Sequence, residues 1–215
     1  MKLLIQGSYA PGLGASFGTH DGGGAVDIWV VDPDDRSLLL DDIPQMVTAL
    51  RQSGFAAWFR PEDMLYDGMY AHIHAIAIGD ADLSEDARAQ LDGSYGYFAG
   101  QNGLPQPEFN GPDPHGGALV CPWMTQSVAS PTPLALACQR PIEDYTRMTI
   151  EGHTINRRTY LMLQTAQALY GGPGNLLWIT QGSYSTGVAA SFGTHDGGGA
   201  VDISIRHRES RDFLY

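Results

Sequence analysis

Short apolar runs separated by glycine and proline clusters set the rhythm of this chain. Residues 3–7 and 24–31 are brief apolar runs, the second rich in β-branched side chains, and both predict strands. Asp41, Asp42 and Pro44 stand at the start of a stretch that puts Ile43, Val47 and Leu50 on one face, which predicts a helix to about Ser53, stopped by Gly54. Residues 55–59 and 71–78 predict two more strands. The latter, AHIHAIAI, alternates strictly between two faces. Ser84 is a candidate N-cap for a helix through about Phe98. Residues 101–141 carry most of the prolines, with Asn-Gly and Gly-Gly pairs, and read as a wrapping loop or linker. Thr154 then caps a helix over 155–170, which Gly171-Gly172-Pro173-Gly174 closes before a strand at 176–180.

An internal repeat organises these elements. Residues 6–28 read QGSYAPGLGASFGTHDGGGAVDI, and residues 181–203, offset by 175, read QGSYSTGVAASFGTHDGGGAVDI, with four of 23 positions different. Such a period is far longer than the roughly 20–50 residues of a solenoid repeat. The expected organisation is a nearly complete first unit over 1–120, a proline-rich linker over 121–145, and the front part of a second copy over 146–215. On a second arrangement the helix at 155–170 packs back on the first unit, and the strand at 176–180 competes with residues 3–7 for one place in the sheet.

The chain has 215 residues, enough for one domain with a substantial core or two small ones. Its net charge is −12, with one lysine against eleven arginines. Phosphate-backbone binding needs a basic footprint, so nucleic acid is not an expected partner. No apolar run approaches the roughly 20 residues of a membrane span, and no signal-peptide core is visible. Cys121 and Cys138 lack the spacing of a structural zinc site, and either a disulfide or two free thiols fits them.

Candidate chemistry gathers in the first unit. His20 sits in a glycine-rich turn, with Asp27 seven positions on in the following strand. His72 and His74 stand two apart on a predicted strand, so both imidazoles lie on one face. Two histidines and a carboxylate leave a tetrahedral metal one open position, as in a catalytic zinc site.

These residues resemble a known family. The pattern of histidine, six residues, aspartate and a downstream HxH is similar to that of the zinc metallopeptidases of the D-alanyl-D-alanine carboxypeptidase, lysostaphin and hedgehog superfamily. More narrowly, GTHDGGGAVD at 18–27 and HIHAIAIG at 72–79 resemble bacterial wall-hydrolase-like members. The resemblance covers about 4–115 and again 150–206. It implies an α+β fold, hedgehog/DD-peptidase-like, with a small antiparallel sheet, helices packed on it and the metal on a sheet face. It implies Zn2+ held by His20, Asp27 and His74, with His72 moving protons or steadying the oxyanion. The implied reaction is hydrolysis of peptide bonds in bacterial cell-wall peptidoglycan, in a cell-envelope or extracellular setting.

Two positions depart from the family pattern. Ala71 stands where relatives often have a glutamate, and Ala10 follows Tyr9 where many have an arginine for the substrate carboxylate. Carboxypeptidase and endopeptidase action therefore both stay open, with Arg36, Arg51 and Arg60 as substitute anchors. His195 and Asp202 match His20 and Asp27 and are second-copy metal candidates, but no HxH pair follows them. The rival function is a zinc-containing binding module without turnover, or an inactive fragment of a wall-associated protein. Other readings are weaker. The glycine run lacks a nucleotide-loop pattern, Ser16 and Ser191 sit in no GxSxG elbow, and Phe55, Trp58 and Phe59 read as core. Asp80, Asp82, Glu85 and Asp86 read as helix N-terminal charge.

Overall fold

The computed structural model describes residues 39–61, 63–64, 71–125, 137–150, 152–172, 176–177, 179–184 and 195–203. The predicted strands at 3–7 and 24–31 lie outside them. A 3-10 turn at Leu40–Asp42 leads into helix α1, Ile43–Ser53, which has Pro44 in its first turn and buries Ile43, Met46, Val47 and Leu50. That i, i+3, i+4, i+7 spacing puts the apolar stripe on one face. Gly54 ends the helix at φ 107°, in the left-handed region that favours glycine, and a Cβ there would stand 2.9 Å from the Trp123 ring. Strand β1 (Phe55–Arg60) follows and pairs antiparallel with β2 (His72–Ala77).

Helix α2, Glu85–Asp92, begins where predicted, with the Ser84 hydroxyl accepting from the Ala87 N–H. It is shorter than the expected run to Phe98. Gly93 closes it by turning to extended backbone, φ −67° and ψ 168°, and a separate 3-10 turn covers Tyr97–Ala99. A short helix α3, Pro122–Thr125, interrupts the proline-rich region. Cys121 and Cys138 form a disulfide. Strands β3 (Arg147–Ile150) and β4 (His153–Asn156) make a two-stranded sheet. Helix α4, Arg157–Tyr170, starts later than expected: residues 153–156 are consumed by pairing with β3, and Asn156, not Thr154, caps it by accepting from the Thr159 N–H.

The main sheet has the order β1-β2-β6-β5, where β5 is Ile179–Gln181 and β6 is Ala200–Ile203. It is antiparallel throughout and draws two strands from each end of the chain. Strand β2 is buried along its whole length, so each face is covered. On one face Ile73, Ala75 and Ala77 pack with α1 and with Ile155, Met162, Leu163 and Ala166 around α4. The α1 and α4 helices run antiparallel, tied at one end by the Tyr170 hydroxyl donating to Asp42 at 2.7 Å. The other face carries Trp58 and Ile76 and is covered by α2, Tyr97 and Ala118. The architecture is α+β with small antiparallel sheets.

Candidate functional site

His72 and His74 lie on the second face, as period-two alternation requires, and each is 5% exposed. His74 stands opposite Trp58 on β1 and opposite Asp202 on β6; His72 stands opposite Arg60. The His74 ring stacks near Trp58 at 6.0 Å between centroids, and its Nε2–H donates to Gln90 Oε1 at 2.8 Å. An amide oxygen can only accept, so this bond sets the tautomer and puts the imidazole lone pair on Nδ1.

The second copy enters through β6 and the turn before it. His195 is fully buried, and its Nδ1–H donates to the Gly182 carbonyl at 2.8 Å. That bond puts its lone pair on Nε2 and holds the ring as metal-ligating histidines are commonly held. The turn is seated on the end of β2 and the loop after it. Gly198 N donates to the Asp82 carbonyl at 2.8 Å, and Ala77 N donates to the Gly199 carbonyl at 2.8 Å. A Cβ on Gly198 would collide with the Tyr184 hydroxyl, and one on Gly199, at φ 92°, would lie 2.5 Å from the Asp80 side chain. The glycine run is thus where two backbones meet a buried polar cluster.

That cluster corrects the reading of Asp80 and Asp82 as helix charge; only Glu85 and Asp86 occupy the first turn of α2. Asn156 Nδ2 donates to Asp80 at 2.7 Å, the Tyr184 hydroxyl donates to Asp82 at 2.6 Å, and Asp82 N donates back to Asp80 at 2.9 Å. Burial pushes the Asp80 carboxyl above its usual range, against the opposing pull of the Asn156 amide. Burial, then the bond to Asp82, pushes the Tyr184 phenol up.

The remaining expectations divide. His20, Asp27 and Arg36 lie outside the described residues, and Asp202 is placed by backbone register alone. Arg51 is committed to holding the fold, since its five guanidinium bonds go to the Ala57, His115 and Gly117 carbonyls and to Asp113. Arg60 is buried on the imidazole face, 5.4 Å over the Trp58 ring. Among the described residues no group of three or more His, Cys, Asp or Glu side chains is arranged to hold a metal. No family model, curated protein or solved structure matches the chain.

Sequence reasoning missed Gln90, the partner of His74. Its signal was a polar residue in the buried stripe of Ala87 and Leu91 on α2. It also missed Asn156, hidden because a residue just before a helix reads first as a cap.

Proposed function

We propose that this chain is a zinc-dependent peptidase acting on peptide bonds of bacterial cell-wall peptidoglycan, with His74 and Asp202 among its metal ligands and His195 a further candidate. His20 and Asp27, the matching first-copy residues, are the alternative donors to the same His74. The observation that carries the reading is the register of β2 on β6, which opposes His74 and Asp202. Support comes also from the two imidazole tautomers, each set by a bond from the other ring nitrogen. When bound, zinc supplies a Lewis acid and lowers the pKa of a bound water toward about 7. His72, on the same face as His74, is the residue to carry a proton to the leaving amine, work to which an imidazole is suited near neutral pH. The Cys121–Cys138 disulfide is compatible with an oxidising, cell-envelope or extracellular setting. Among the described residues no helix is long and apolar enough to cross a membrane.

One observation favours the binding-module reading: His72 and His74 are both buried. Zinc content of the purified chain and of His74→Ala, followed by hydrolysis assays on wall peptides, tests both. About one zinc per chain, lost in His74→Ala, with hydrolysis lost in a His72→Ala variant that keeps its zinc, supports the peptidase. Zinc without hydrolysis in the parent chain supports the binding module. No zinc in the folded protein overturns both.

A further inference from the structure

The chain holds two Asn-Gly pairs, Asn102-Gly103 and Asn110-Gly111, in one loop. In such a pair the glycine nitrogen can attack the asparagine side chain, since glycine has no Cβ to hinder the approach. The structure treats the two pairs oppositely. Asn102 is buried; its Nδ2 donates to the Phe109 carbonyl at 2.8 Å, and its Oδ1 accepts from Leu104 N at 3.1 Å. Gly103 N is occupied too, donating to the Tyr95 carbonyl at 2.9 Å, and a Cβ on Gly103 would stand 3.1 Å from the Trp58 ring. Asn110 is exposed and outside any helix or strand, and among the described residues nothing bonds its side chain or the Gly111 N–H. A Cβ on Gly111 would meet nothing within 4 Å. Leaving group, electrophile and nucleophile are tied down at one pair and open at the other.

We propose that Asn110-Gly111 is a site of spontaneous covalent modification, a one-way clock built into the loop beside the imidazole face. The Gly111 nitrogen attacks the Asn110 Cγ and loses its proton to solvent; the Cγ–Nδ2 bond breaks and ammonia leaves, giving a succinimide. Water then opens the ring at either carbonyl, yielding aspartate or isoaspartate. No oxidant, metal or enzyme enters, and the inference is independent of the peptidase reading. Isoaspartate routes the main chain through the former side chain and lengthens it, and both products add a negative charge. The lengthening falls where register is fixed: Asn102 N donates to the Gly111 carbonyl at 2.9 Å, Gln101 pairs with Pro112, and Asp113 N donates to the Gly100 carbonyl at 3.0 Å. Asp113 in turn holds Arg51, and the Gln101 carbonyl holds the Trp58 indole. A shift at 110 therefore reaches both anchors of the loop.

Peptide mass mapping of the full chain, aged at mildly alkaline pH, tests this. Conversion at Asn110 should run on the order of ten times or more ahead of that at Asn102, whose bonds must open first. In urea the two pairs should convert at similar rates. Equal rates in the folded chain overturn the proposal, and so does a difference that persists in urea, since the fold would not be its cause. Gly111→Ala has room for its Cβ and should keep the fold while suppressing conversion. Conversion at the parent's rate overturns the proposal, because the nucleophile would then lie elsewhere. Parent chain aged to conversion should exchange amides faster over 100–103 and 113–119 than an Asn110→Gln chain aged alongside it. Identical exchange in the two overturns the clock's action on the loop.

Discussion

The two faces of the main sheet are covered by different physics. The face toward α1 and α4 is closed by aliphatic side chains meeting aliphatic side chains, Ile73 and Ala75 against Leu50, Met162 and Leu163. The imidazole face is closed by Leu83, Ala87 and Leu91 in and before α2, and beside them by an irregular segment held by directed bonds. Arg51 reaches round the edge strand β1 to the Ala57 carbonyl and onward to the 113–117 segment, and the Tyr97 hydroxyl bonds both the N–H and the carbonyl of Leu119. The Trp58 indole donates to the Gln101 carbonyl at 3.0 Å. Burial is non-directional and tolerates a change of shape, whereas a bonded loop depends on particular atoms. The candidate site lies on the face where geometry is specified atom by atom.

The sharpest way to break this comparison is at Arg51. Arg51→Met strands Asp113 in a buried position, and such a loss costs about 3–5 kcal/mol. Urea unfolding should show it, with faster amide exchange over 113–119. Arg51→Lys should also fail to restore stability, because one ammonium cannot replace five bonds in a fork. An Arg51→Lys chain as stable as the parent would mean that the loop is held by burial after all.

Next in size is the disulfide. Reducing Cys121–Cys138, which encloses a 17-residue separation, should lower stability by about 3 kcal/mol, measured by denaturation with and without reductant. On the aliphatic face the contrast should be plain: Leu163→Met, conserving volume, should cost less than about 1.5 kcal/mol in the same assay. A larger cost there would erase the distinction between the faces.

The smallest effects are those of pH, and two groups pull in opposite directions. Burial lowers the His153 pKa below 6.5, so the folded state binds its proton more weakly than the unfolded chain. Its contribution to stability is present above pH 6.5 and is lost as pH falls below it, and His153→Gln should remove that decline. Burial raises Asp80 above 3.8, so its contribution is present below pH 3.8 and is lost as pH rises through the folded value. Asp80→Asn should flatten that acid-side slope in urea titrations.

Much of the fold was legible locally. The α1 helix was set by Pro44, an apolar stripe and Gly54, and β2 by its alternation, so the placing of His72 and His74 on one face needed no tertiary information. The start of α2 at Ser84 was legible too, but its end was not: it falls at Gly93, which takes up extended backbone five residues before the expected end. The start of α4 moved for a related reason: residues 153–156 had a strand partner in β3 that no short window contains. Gln90 and the Asp80, Asp82 and Asn156 cluster were obscure because each joins residues distant in sequence.

By itself the sequence determined the repeat, the glycine run and the period-two histidine pair, since each is a property of neighbouring positions. Only the tertiary structure showed that Asp202, on β6, stands across from His74. Two stretches with 19 of 23 residues in common have nearly the same local preferences, so nothing local can choose between them. The place of the second stretch rests on long-range packing: α4 lies on α1, β5 and β6 follow it in the chain, and Asp202 stands across from His74.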